Sequence, residues 1–327
     1  MKLFALNDTR EWGLKLAARL GVPLADHEER SFEDGEFKIR SLESVRGEPA
    51  FVCASLAAEP PLSASDKLCR LAFFCGSLKD AGAARAVAVV PYLAFWRKDK
   101  RTKPRDPVTT RYVARLLEAV GVDGVLALDV HSPAAFDNAF GCPKENLEAA
   151  PVFAEHFAAL AGGTARVVVL SPDAGGVHRA RSFAALLADR TGRAIDLAFV
   201  EKHRSEGRVT GELFAGDVRG ADVIVFDDLI ASGTTIARAA AACAARGARS
   251  VRAAATHGVL APGAVQTLNG AGLASLTLGD TVDGLRRRCD GLRVDLQVLE
   301  TAQLFAHGIE RWARERAIAA ASPLDAD

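Results

Sequence analysis

Short apolar runs bounded by glycine, proline or acids alternate along the chain with longer stretches whose apolar positions recur every three or four residues. The first pattern reads as buried strand and the second as amphipathic helix. Strands are expected at residues 2–5, 51–55, 87–90, 125–129, 167–170, 195–200, 223–226, 251–256, 276–278 and 294–299. Strict alternation over 36–40, after an Asp34-Gly35 turn, adds a half-buried strand. Helices are expected at 9–20, closed by Gly21, and at 65–79, 108–119, 148–162, 236–245 and 302–316. Strand followed by helix, repeated in this way, builds mainly parallel sheets, so the fold class is α/β. Strands run into acids at Asp129, Asp173 and Asp227, in both halves of the chain, which points to two similar doubly wound domains. The expected division is 1–147 and 148–301, with the closing helix 302–316 packing back on the first domain.

One junction carries the most chemistry. Val223-Ile224-Val225-Phe226 runs into Asp227-Asp228, then into Leu229-Ile230-Ala231-Ser232-Gly233-Thr234-Thr235 and an alanine-rich helix. Such a turn aims backbone N–H groups and the positive helix end at its occupant, which suits a phosphate. Ser232, Thr234 and Thr235 add hydroxyl donors, and Gly233 lets backbone approach closely. Asp227 and Asp228 can accept from sugar hydroxyls or hold Mg²⁺ through water. The ligand described is a sugar phosphate, although a strand ending in acids before a capped helix also occurs in α/β proteins with no such ligand.

Elsewhere, the window 97–106 holds Arg97, Lys98, Lys100, Arg101, Lys103 and Arg105 against Asp99 and Asp106, six cations to two anions, for a local charge of +4. Three explanations are open: a solvated loop, a nucleic-acid patch, or a polyphosphate site beside the aromatics Tyr92, Phe95 and Trp96. His131 follows Asp129 by two residues, on the same side if the strand continues. The segment Glu201-Lys202-His203-Arg204-Ser205-Glu206-Gly207-Arg208 is expected to be a polar, mobile loop.

Composition narrows the classes. Lys plus Arg equals Asp plus Glu at 41 each among 327 residues, which argues against a coat for nucleic acid or for an anionic membrane. No apolar run approaches a membrane span, and the first residues form no secretory signal. Six cysteines without a C-x-x-C pair read as reduced thiols, so a cytoplasmic protein is expected. No Gly-x-x-x-x-Gly-Lys-Ser/Thr loop is present, which argues against a P-loop kinase.

Taken in order, Phe32-Glu33-Asp34-Gly35-Glu36, the segment from Pro91-Tyr92 to Asp106-Pro107, Asp129-Val130-His131, Ser171-Pro172-Asp173-Ala174-Gly175-Gly176, Lys202 with Arg204, the 227–235 loop and Ala255-Thr256-His257-Gly258 resemble the ribose-phosphate pyrophosphokinase family. The resemblance runs from Lys2 to about Ala320. It implies two domains of phosphoribosyltransferase type and transfer of the diphosphoryl group of ATP to the 1-hydroxyl of ribose 5-phosphate. It assigns Phe32, Asp34, Gly35 and Glu36 to adenine and ribose of ATP, and Arg97 and Lys98 to the nucleotide, with Lys98 replacing a family Gln. It makes Lys202 and Arg204 the catalytic pair, His131 and Asp173 the Mg²⁺ positions, and Asp129 a support for His131. Asp227, Asp228, Ala231, Ser232, Gly233, Thr234 and Thr235 take ribose 5-phosphate; Ala231, Ser232 and Thr234 depart from the family loop. A homo-oligomer is implied, but Arg70 and Gly76 stand where the family pattern has acids, so assembly size and feedback control do not carry over. Two alternatives stay open: a phosphoribosyltransferase, which shares the 227–235 loop, and a non-catalytic regulatory paralogue.

Overall fold

The structure, a computed structural model, describes residues 1–163, 165–205 and 208–321; the side chains of 201–212 and 315–321 lie outside that description. The chain divides into two units, Met1–Glu148 with Thr301–Asp327, and Ala149–Glu300.

The first unit contains β1 (Lys2–Ala5), α1 (Arg10–Leu20), β2 (His27–Ser31), β3 (Phe37–Ser41), β4 (Pro49–Cys53), α2 (Ala64–Asp80), β5 (Arg85–Val90), α3 (Thr109–Ala119), β6 (Gly124–Leu128), α4 (Pro133–Ala139) and β7 (Lys144–Leu147). Strands β1, β4, β5, β6 and β7 form a parallel sheet in that order, and β2 and β3 stand apart as an antiparallel hairpin. Its strands are buried throughout β6 and nearly so in β4 and β5, as a sheet covered on both faces requires. On one face Phe4, Val52, Ala88, Val90, Val125 and Ala127 pack under Leu71, Phe74 and Leu78 of α2 and Val113 and Leu117 of α3. Helix α2 begins with a full capping box, Ser63 Oγ accepting from the Asp66 amide while Asp66 accepts from Ser63.

The second unit contains α5 (Ala150–Gly162), β8 (Val167–Ser171), α6 (Val177–Thr191), β9 (Asp196–Ser205), β10 (Arg208–Ala215), β11 (Asp222–Ile230), α7 (Thr234–Ala245), β12 (Ser250–Gly258), α8 (Ala264–Asn269), β13 (Ser275–Gly279), α9 (Leu285–Arg288) and β14 (Asp295–Leu299). Its sheet runs β10-β9-β8-β11-β12-β13-β14, parallel except for the β9–β10 pair. Phe226 of β11 stacks on Phe183 at 4.2 Å and meets Phe153 edge-on at 5.4 Å, which covers one face with α5 and α6. Val223 and Val225, on the opposite face by strand alternation, join Ile236, Ala240 and Cys243 of α7.

The last helix, α10 (Ala302–Ala321), belongs to the first unit and covers the second face of its sheet. Trp12 of α1 meets Phe305 edge-on at 5.0 Å, and its indole N–H donates to Thr301 Oγ1 at 3.1 Å. Gly308 sits where a Cβ would lie 3.1 Å from Leu126 and 3.2 Å from Leu147.

Three expectations are corrected. Residues 201–205 are strand: β9 continues to Ser205 because its backbone pairs antiparallel with β10, from Phe199 opposite Ala215 to Ser205 opposite Arg208. Strand β11 does not stop at Phe226 but runs through Asp227 and Asp228 to Ile230, held by parallel pairing of Asp227 with Ala255 and Ile230 with Gly258. The strand before His131 ends at Leu128: Asp129 takes φ +40°, so Asp129 and His131 do not share a side of a continuing pleat. Helix α4 and strand β7, short elements with little apolar periodicity, were not anticipated.

Gly124 lies under the ring of Trp312, and an added Cβ would overlap the indole Cη2 and Cζ3 atoms. Gly124→Ala should therefore lower stability by about 1–3 kcal/mol through overpacking. Thermal unfolding checks this, and combining it with Trp312→Phe should restore part of the loss.

Candidate active site

In the second unit the chain leaves β8 through α6 toward β9, then returns to place β11 on the other side of β8. Neighbouring strands whose connections depart in opposite directions open a crevice at their carboxyl ends, where open α/β sheets bind ligands. The loop after β8 carries Asp173 and the end of β11 carries Asp227 and Asp228. The structure thus brings Asp173, Asp227 and Asp228 to one crevice.

Arg179, in the first turn of α6, reaches Asp228 Oδ1 at 3.3 Å and Asp227 Oδ1 at 3.6 Å. A cation at a helix N-terminus opposes the helix dipole. Its placement is explained by the two carboxylates, whose side chains are 13 % and 4 % exposed. Asp227 Oδ1 also accepts the Asp228 amide at 2.9 Å. Burial, then the charge and hydrogen bonding of Asp228, push the Asp227 carboxyl well above its ordinary value; Arg179 opposes that rise and Asp173 adds to it. Sequence reasoning gave Arg179 no role, although a cation opening a helix beside Asp-x-Gly-Gly was the available signal. Asp173 Oδ1 accepts the Gly176 amide at 2.9 Å, which folds the β8–α6 loop back on itself.

After Ile230 the turn is shaped by glycine. Gly233 has φ +77°, and a Cβ there would lie 3.1 Å from Leu268 Cγ and 3.4 Å from the Ala264 carbonyl oxygen. Ala261 N–H donates to the Ala231 carbonyl at 2.9 Å, fixing the base of the turn. Ser232 and Thr234 are exposed with their hydroxyls 2.9 Å apart, and Thr235 is half-buried. The first-turn amides of α7 have no acceptor within the helix, so amides and hydroxyls surround one concavity suited to an anion.

In the first unit, Phe32 to Glu36 form the tip of the β2–β3 hairpin. Phe32 N–H donates to the Glu36 carbonyl at 2.8 Å, Gly35 turns at φ +92°, and Asp34 Oδ1 accepts the Glu36 amide at 3.1 Å. Phe32 is 41 % exposed under the Arg30 guanidinium, 5.2 Å from the ring centroid, which leaves a flat apolar surface open to an aromatic ring. Arg97 is exposed. Lys98 is turned inward: its ammonium donates to Asp106 Oδ2 at 2.6 Å and Thr102 Oγ1 at 3.0 Å. Those bonds, with Thr102 and Lys103 amides, hold the Asp106 carboxyl well below the usual carboxylate range. His131 is exposed, two residues before the start of α4. Lys202 and Arg204 lie in β9, paired with Glu212 and Val209 of β10; their side chains are outside the described residues.

Among the described residues, no cluster of three or more His, Cys, Asp and Glu side chains forms a protein-only metal cage, and no helix is long and apolar enough to cross a membrane. Hard carboxylate oxygens at Asp173, Asp227 and Asp228 suit a magnesium ion that keeps most of its coordination for water and phosphate.

Comparison with known proteins agrees with the two-unit α/β fold. Residues 1–121 match the N-terminal domain of ribose phosphate pyrophosphokinase, 144–265 a phosphoribosyl transferase domain, and 212–320 a phosphoribosyl synthetase-associated domain. Curated relatives named ribose-phosphate pyrophosphokinase include that of Hyphomonas neptunium, 36 % identical over 97 % of this chain and 98 % of its own. That of Vibrio parahaemolyticus is 35 % identical over 98 % of each. The crystal structure of phosphoribosylpyrophosphate synthetase from Mycobacterium smegmatis superposes with a TM-score of 0.83 at 33 % identity, covering 96 % of this chain and 99 % of that one. With three domain models matched in order and relatives aligned end to end, the chain belongs to the ribose-phosphate pyrophosphokinase family of enzymes.

Proposed function

We propose that this enzyme transfers the diphosphoryl group of ATP to the 1-hydroxyl of ribose 5-phosphate, releasing AMP, with Mg²⁺ as the required ion and the cytoplasm as its compartment. The observation that carries the reading is the crevice at the ends of β8 and β11, where an amide- and hydroxyl-lined turn stands beside buried carboxylates. The turn 231–235 would take the 5-phosphate, and Asp227 and Asp228 would accept from the ring hydroxyls, orienting the 1-hydroxyl for attack. Arg179 keeps those carboxylates together. The hairpin tip would receive the nucleotide, with Phe32 against adenine, Asp34 and Glu36 accepting from its hydrogen-bond donors, and Arg97 on the polyphosphate.

Phosphoryl transfer needs alignment and neutralisation of spreading charge more than covalent help. Lys202 and Arg204 would supply donors that strengthen as the bridging oxygen charges. His131 and Asp173 would each correspond to a magnesium position, Asp173 with the neighbouring carboxylates Asp227 and Asp228, and the ion would supply positive charge to the polyphosphate. Lys98, tied to Asp106, shapes the loop that carries Arg97 rather than offering its charge freely. The enzyme is read as a homo-oligomer that binds neither nucleic acid nor membrane.

Incubated with ATP, Mg²⁺ and ribose 5-phosphate, the purified protein should release AMP and form a diphosphorylated sugar, followed by phosphorus NMR. Formation of ADP and a monophosphorylated sugar would overturn the reading. Lys202→Ala should reduce AMP release by about 10²-fold or more without lowering the melting temperature.

Asp227→Asn should abolish AMP release while raising the melting temperature. The carboxyl is raised in the folded state, so ionising it opposes folding. The variant's advantage should be full at alkaline pH, above the folded value, and should shrink toward zero as pH falls to about 4, where the unfolded carboxyl also protonates. Each ~1 kcal/mol of relief corresponds to roughly 2–4 °C for a unit of this size. Melting curves from pH 4 to 9 check the sign.

A further inference from the structure

The loop that carries Arg97 and the segment that carries His131 are joined by one aromatic cluster. Trp96 is 2 % exposed and lies flat on Phe140, ring centroids 5.6 Å apart at 10° between planes. It also meets Phe136 at 5.7 Å, and Phe136 meets Phe140 edge-on at 5.3 Å. Phe136 belongs to α4, the helix that starts two residues after His131, and both phenylalanines are fully or almost fully buried.

Two backbone outliers flank this cluster. Phe95, immediately before Trp96, has φ +64°, and Asp129, before Val130-His131, has φ +40°. A bulky residue in the left-handed region persists only where surrounding packing over-determines it. Further ties hold the loop itself. Thr109 Oγ1 donates to the Phe95 carbonyl at 2.9 Å, and Asp106 gathers Lys98, Thr102 and the Lys103 amide. Val130 N–H donates to Asn146 Oδ1 at 2.9 Å and Asp129 N–H to the Leu147 carbonyl at 2.9 Å, fixing the second segment to β7. The indole N–H of Trp96 is buried without a hydrogen-bond partner among the described residues. A stray polar atom in a dry cluster is tolerated where the ring's shape is what matters.

We propose that Trp96 is a positioning residue for nucleotide binding: its ring, clamped between α4 and Phe140, locks the Arg97 loop and the His131 segment into one rigid body. This inference rests on the reading of those two segments as the ATP and metal side of the reaction. Neither Trp96 nor the phenylalanines touches the reacting atoms; they act through the backbone that presents Arg97 and His131. Packed aromatic clusters shift between discrete arrangements rather than deforming smoothly, so loosening one segment loosens the other.

The test uses the full-length enzyme with Trp96→Ala and Trp96→Phe. Hydrogen exchange read by mass spectrometry should speed up in Trp96→Ala at both 95–106 and 129–140, while 223–245 stays unchanged. The KM for ATP should rise by about 10-fold, with the KM for ribose 5-phosphate within about twofold. Trp96→Phe keeps a flat ring and removes the unpartnered donor, so it should restore both exchange and KM. Faster exchange at 95–106 alone would overturn the coupling, as would an unchanged KM for ATP or equal rises in both KM values. If Trp96→Ala does not fold, Phe140→Leu carries the same three measurements. Should the wild-type enzyme release no AMP, the reaction reading fails, and the exchange pattern at the two segments still decides the coupling.

Discussion

Two adjacent carboxylates at the end of a buried strand set the terms for the second unit. Side chains that are 13 % and 4 % exposed cannot shed the cost of charge into solvent, so the fold must answer it locally. Arg179 does so in part, and because it stands in the first turn of α6, the helix must begin close to the end of β11. The helix can do so because β8 and β11 pair as neighbours, which also brings the loop carrying Asp173 and the turn built on Gly233 to one end of the sheet. The raised Asp227 carboxyl shows that charge remains costly here, a perturbation often found at binding sites.

The first unit answers a different constraint. Its nucleotide-side residues sit on exposed segments, a hairpin tip and a long basic loop, which have no regular ladder to define them. Order comes from short-range ties: the Asp34 carboxylate on the Glu36 amide, Lys98 on Asp106, and Trp96 driven into an aromatic cluster. Among the five exposed or half-exposed cations from Arg97 to Lys103, one is committed to holding the loop's own shape.

The α/β class and most strands were legible because a strand buried on both faces must be apolar, as in β5, β6 and β8, and because glycine marks helix ends such as Gly21. The ends of β9 and β11 were not legible. Polar residues at 201–205 and the acids Asp227 and Asp228 look like loop, yet ladder pairing with β10 and β12 keeps them extended, an effect that depends on partners distant in the sequence. Helix α4 is short, and its apolar content serves one contact set around Phe136 rather than a repeating stripe. The glycine and hydroxyls of the turn from Ala231 to Thr235 are visible in the sequence itself. Arg179 is visible there only as a cation opening a helix, since its partners are carboxylates about fifty positions onward that the sheet order brings near.

Helix α10 gives the chain a particular order of assembly. The sheet of the first unit has one side covered by α2 and α3, segments made early, whereas its other side awaits Phe305, Gly308 and Trp312. On the ribosome, the intervening 152 residues from Ala149 to Glu300 emerge before that lid exists. Until α10 is made, Leu126, Leu147 and the Trp12 indole lack the neighbours that this segment supplies in the folded unit. The amino-terminal half is translated first and completed last.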